Sequence, residues 1–99
     1  MGQAEAVAIC DEASTLPVYL NDRYRFYVAN LLGRECLVAV SRDGDGEAPA
    51  AVSKQLSQVR DRLGKEVVYV VQNMTPYNRK RLIEQRLPFV VPRRQIYLP

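Results

Sequence analysis

The stretch Val67-Val68-Tyr69-Val70-Val71-Gln72-Asn73-Met74-Thr75-Pro76-Tyr77-Asn78-Arg79-Lys80-Arg81-Leu82-Ile83-Glu84-Gln85-Arg86-Leu87-Pro88-Phe89-Val90-Val91 decides the fold class. Its first five residues are uncharged and β-favouring, the composition of a strand buried on both faces, as in a parallel sheet. Thr75-Pro76 then supplies a capping hydroxyl and a proline suited to the first helical position. The helix runs to about Arg86 and stops there, because a residue preceding proline avoids the α region. Phe89-Val90-Val91 resumes as a strand. Strand, helix and strand in this order make a βαβ unit.

Working outward, Pro92-Arg93-Arg94-Gln95 reads as a tight turn and Ile96-Tyr97-Leu98 as a returning strand. That turn is too short for a crossover, so the last strand is antiparallel to its neighbour. Upstream, Val52, Leu56, Val59 and Leu63 repeat at helical spacing between Pro49 and the stop at Gly64. Cys36-Leu37-Val38-Ala39-Val40 is a short apolar run that fits a strand covered on both faces. The polar glycine loop Ser41–Glu47 follows it. Leu20, Tyr24, Tyr27, Val28, Leu31 and Leu32 lie at one-face helical spacing, with Asn21 or Asp22 as cap and Gly33 as stop. The alternative is a hairpin, since Tyr24, Phe26 and Val28 also alternate and Gly33 suits a turn. Leu16–Leu20 reads as extended, and residues 1–15, without sustained periodicity, as a flexible or loosely docked arm. The expected architecture is one α/β domain over residues 16–99. Its sheet is small and mostly parallel, with right-handed crossover helices and a C-terminal antiparallel hairpin.

Composition bounds the function. The 99 residues suit one small domain, and 47% apolar with 25% charged residues marks an ordinary globular chain rather than a disordered one. There is no histidine, which removes Ser-His-Asp and Cys-His catalysis, His-dependent zinc sites and an imidazole proton switch. Cys10 and Cys36 stand alone without a CxxC pair; they read as reduced, half-buried thiols, although two cysteines permit a disulfide on count alone. No run reaches the ~18 apolar residues of a membrane span. The acidic N-terminus is not a secretory signal, so the expected location is cytoplasmic. The net charge of +3 divides unevenly: residues 1–73 carry 8 bases and 10 acids, whereas residues 74–99 carry six bases and Glu84. A basic end on a nearly neutral body points to a polyanion partner.

Four places invite chemistry. On the helix after Thr75, Leu82 and Ile83 define the apolar face at ~100° per residue. Arg79 and Arg86 fall between them, either snorkelling to water or, for Arg79, helping to hold an anion at the free N–H groups near Thr75. Ligands in open α/β sheets collect at the C-terminal edge of the strands, which singles out Gln72, Asn73, Thr75, Tyr77 and Asn78. That edge has no glycine-rich phosphate loop and no Walker lysine. Asp43, Asp45 and Glu47 resemble a metal loop but miss the calcium-loop spacing, so a solvated loop is the ordinary reading and no metal or cofactor is expected. Arg93 and Arg94, with Lys80 and Arg81, form a basic patch suited either to nucleic-acid phosphates or to protecting an edge strand.

Thr75–Glu84, Leu87–Pro92 and Gln95-Ile96-Tyr97-Leu98-Pro99 together resemble the N-terminal region of bacterial MarR-family, winged-helix transcriptional regulators. The likeness extends upstream through Leu16–Leu20, Leu31-Leu32-Gly33 and Val67–Val71, covering residues 16–99. Arg93 departs from the glycine frequent in that turn. The resemblance implies the front module of a longer protein whose DNA-reading domain follows Pro99, and it carries over no catalytic residue. Three functional expectations result. The first is a non-catalytic module of a DNA-binding regulator, with Arg79, Lys80, Arg81, Arg93 and Arg94 contacting phosphates or a protein partner, and with a homodimer as one assembly. The second is an anion- or small-ligand-sensing domain. The last, a metal-dependent nuclease built on Asp43, Asp45 and Glu47, ranks lowest.

Overall fold

Valine-rich strands with short connections assemble one six-stranded sheet in the computed structural model, which describes residues 7–31, 33–92 and 95–97. Strand β1 (Val7–Ile9) leads through a 3-10 helix (Asp11–Thr15) and helix α1 (Val18–Arg23) into β2 (Tyr24–Leu31) and β3 (Arg34–Ser41). Helix α2 (Pro49–Leu63), β4 (Val67–Val70), α3 (Pro76–Glu84), β5 (Phe89–Val91) and β6 (Gln95–Tyr97) complete the chain. The strands lie side by side in sequence order. Pairings β3–β4 and β4–β5 are parallel; β1–β2, β2–β3 and β5–β6 are antiparallel. The α/β class and the C-terminal hairpin thus hold, whereas the sheet is mixed rather than mostly parallel.

The helix expected after Leu20 ends at Arg23, and the hairpin alternative is the one observed. Tyr24 through Leu31 pairs residue for residue with Ser41 through Arg34, and Gly33 takes φ 79° in the connection. Alternation decides the outcome: it sends Tyr24 and Phe26 inward together, whereas helical spacing leaves Phe26 off the apolar face. The N-terminal arm is likewise corrected from residue 7 onward. Val7–Ile9 pairs with Ala29–Tyr27, and Cys10 and Ala13 are buried. Residues 1–6 of that expected arm lie outside the described residues, as does Leu98. Leu16–Leu20 is not extended throughout, since α1 begins at Val18.

One core unites the fold. Tyr24 and Phe26 of β2, Leu37 and Ala39 of β3, Val67 and Tyr69 of β4, and Phe89 and Val91 of β5 meet Val52, Leu56 and Val59 of α2 and Leu82 of α3. Leu16 and Leu20 join the same cluster, so α1 covers this face as well. Two successive right-handed crossovers that step in one direction across a sheet place both helices on one face. Here the strand order never reverses, and α2 and α3 pack against each other over that single face. The strands are therefore not covered on both faces as their composition suggested. Both cysteines are free and buried.

Candidate functional site

The C-terminal edge of β4, where the sequence directed attention, is filled by the chain itself. Asn73 donates its main-chain N–H to the Gly44 carbonyl at 2.9 Å, and its side-chain amide to the Asp45 carboxylate at 3.4 Å. Gly46, at φ 73°, lies so close above Tyr69 that a Cβ there would overlap the tyrosine hydroxyl. Thr75 Oγ1 accepts the Asn78 N–H at 3.1 Å, so the cap of α3 uses its own hydroxyl. Gln72 and Tyr77 are exposed and Asn78 is half-buried. The reason is topological: open α/β sheets bind ligands where the strand order reverses, and this sheet has no such point.

Beneath that loop, Tyr24 and Tyr69 meet edge to face with ring centres 6.2 Å apart. The Tyr24 hydroxyl donates to Gln55 of α2 at 2.6 Å. Burial pushes both hydroxyls above the usual tyrosine range, for Tyr24 with help from neighbouring Tyr69. The folded state therefore holds these protons more tightly than the unfolded chain does. Stability is intact below the unfolded tyrosine pKa of about 10 and falls as pH rises above it. The expected urea midpoint declines above about pH 10, and Tyr24→Phe makes that decline shallower. An equally steep decline in the variant would assign it to another group.

The acidic loop spends its carboxylates internally. Asp43 Oδ1 accepts the Asp45 N–H at 3.0 Å, and Glu47 pairs with Arg23. Among the described residues no group of three or more metal-ligating side chains comes together. On α3, Arg79, Lys80 and Arg81 are exposed, and Arg81 lies 3.7 Å from Glu84. Leu82 is buried as expected, but Ile83 is 37% exposed, so the apolar face of this short helix is narrower than its spacing suggested. Arg93 and Arg94 lie outside the described residues.

Two features were not singled out from sequence. The first is the sheet face opposite the helices. Strand alternation and register place Ile9, Tyr27, Val38 and Val68 in one row across it and Arg25, Val40, Val70 and Val90 in the next, with Ala29 and Cys36 alongside. Ala29, Cys36 and Val68 are buried yet stand outside the core cluster, because neighbouring strands rather than a second layer shield them. Ile9 is 75% exposed. The uncharged runs 36–40 and 67–71 carry this signal, but the same composition fits strands covered on both faces.

The second is a cavity of about 320 Å³ at the other end of the parallel strands, between α2, the end of α3 and the starts of β3 and β4. Arg34, Arg60 and Arg86 line it, with Ser53, Ser57 and Gln85. These arginines are remote in sequence, and no motif links them. No protein-family model, curated protein or solved structure matches the chain. No helix among the described residues is long and apolar enough to cross a membrane.

Proposed function

We propose that the chain is a non-catalytic module of a cytoplasmic, DNA-binding transcriptional regulator, and that it acts as a homodimer joined through the open face of its sheet. The observation that carries this reading is the face itself, whose middle bears valines, a tyrosine, an alanine and a cysteine. Contiguous apolar surface of this kind marks an interaction site on a soluble protein.

Charge and area favour a second copy as the occupant. Within the described strands the only charges on the face are Arg25 and Arg34, at opposite ends of the β2–β3 pair. An uncharged centre needs no oppositely charged partner and meets itself across a two-fold axis without repulsion. Strands β2 and β3 have eight residues each. At about 3.3 Å per residue and with strands about 4.8 Å apart, the 29 residues of the six strands project to roughly 460 Å². Side-chain relief adds to that, giving the order of the roughly 800 Å² per partner of a standard interface. Two such sheets stack about 10 Å apart.

The resemblance to winged-helix regulators and the exposed Arg79, Lys80 and Arg81 on α3 support a role beside DNA phosphates. In fluorescence anisotropy the expected result is sequence-tolerant binding to a duplex at about 50 mM salt that is lost by about 200 mM. Lys80→Gln with Arg81→Gln should weaken it. Absence of binding at the lower salt overturns the phosphate role, and a monomer at micromolar concentration in sedimentation overturns the dimer.

A further inference from the structure

We propose that the cavity between α2, α3 and the starts of β3 and β4 binds a small phosphomonoester, with Arg34, Arg60 and Arg86 as its anion-holding residues. This site goes beyond the reading above, since it needs neither the dimer nor DNA; Arg34 reaches it from the rim of the open sheet face.

Charge is the first argument. Three arginines and one acid, Glu66, line the cavity, leaving a net charge of +2 that matches a phosphate dianion. Asp61, next to Arg60, makes no ion pair with it, and the other acids near these arginines in sequence are engaged elsewhere. Glu35, next to Arg34, holds Lys65 at 3.0 Å, and Glu84, near Arg86, pairs with Arg81. Among the described residues no ion pair involves Arg34, Arg60 or Arg86. Guanidinium groups left unpaired around one concavity are an arrangement that planar, bidentate recognition of phosphate uses.

Backbone conformation is the second argument. Arg86 has φ 56°, the only left-handed residue other than glycine among those described. It closes α3: its N–H donates to the Ile83 carbonyl at 3.0 Å, and the following Leu87 N–H donates to the Leu82 carbonyl at 3.1 Å. Glycine is the residue this helix-ending position favours. A glycine would terminate the helix with less strain but would supply no guanidinium to the cavity. The helix end by itself therefore gives no reason for an arginine.

Size and polarity are the third. About 320 Å³ lies at the small end of ligand pockets. Ser53, Ser57 and Gln85 add hydrogen-bonding groups, while Leu56, Leu87 and Pro88 offer apolar surface to the body of the ester. The negative ends of α2 and α3 lie at this edge, and the arginines offset them.

The test follows the melting temperature of the full chain with inorganic phosphate, phenyl phosphate and benzoate, and titrates each by amide NMR. Phenyl phosphate is expected to stabilise the fold most, with shifts concentrated at residues 53–60 and 85–88. Arg86→Gly should fold at least as well as the parent, because it suits the backbone, yet lose phenyl phosphate affinity at least ten-fold. Arg60→Gln should lose it too, and Arg81→Gln should not. Unchanged affinity in Arg86→Gly, or an equal loss in Arg81→Gln, overturns the site. Equal binding of benzoate overturns the phosphomonoester assignment. Because oligomeric state is read separately by sedimentation, failure here is distinguishable from failure of the dimer.

Discussion

Gly46→Ala is expected to destabilise the fold by about 2–4 kcal/mol and to lower the melting temperature by about 10–20 °C. Two effects combine. At φ 73° any Cβ meets the left-handed penalty of about 1–2 kcal/mol. The added methyl would also overlap the Tyr69 hydroxyl and come within 3.1 Å of a Val71 methyl. Neither neighbour yields easily, since Tyr69 and Val71 are buried in the core. Gly64 is the control: φ is 67° there, but a Cβ has nothing within 4 Å, so Gly64→Ala should show the backbone penalty alone. In a Tyr69→Phe background the Gly46→Ala loss should shrink, because the overlapping oxygen is gone. Thermal denaturation of the three single variants and the double variant checks this. Equal losses at Gly46 and Gly64 would mean that the loop is not seated on Tyr69.

Val70→Asp is expected to convert the proposed dimer to monomer, raising the dissociation constant at least about 100-fold. Val70 lies in the row Val40–Val70–Val90 on the open face, half-buried by its neighbours alone. In the free chain its carboxylate reaches water. In the stacked pair, two carboxylates without partners would be trapped in an apolar layer, at several kcal/mol each. Val70→Ala should weaken association much less, since it removes area without introducing charge. Tyr77→Asp, on the 67% exposed Tyr77 of α3, should leave association unchanged. Sedimentation velocity over a concentration series separates these outcomes. A Val70→Asp protein that dimerises like the parent removes the sheet face as the interface.

Much of the fold was legible locally. Thr75-Pro76, Gly64 and the spacing of Val52, Leu56 and Val59 mark helix ends and faces through interactions made within a few residues. The strands at 36–40 and 67–71 were legible for the same reason, from uncharged apolar runs. Tyr24–Leu31 was ambiguous because its apolar residues satisfy both periods, and only the eight-residue ladder with β3 selects one. Val7–Ile9 carried too short a signal to read as a strand, and pairing with β2 supplies what its own sequence lacks.

The candidate sites divide along the same line. Asn73 and Thr75 were visible as residues at a strand end and a helix start, but their partners, Asp45, Gly44 and Asn78, show one serving the loop and the other the cap. The sequence by itself determined the α/β class, the two crossover helices and the basic character of the C-terminal segment, all of which arise from near-neighbour propensity and charge count. Tertiary structure alone decided that the strand order runs without reversal, that one sheet face is left open, and that Arg34, Arg60 and Arg86 share a cavity. Those three facts depend on which strands pair, and pairing is set by contacts between residues far apart in the chain, which no local pattern records.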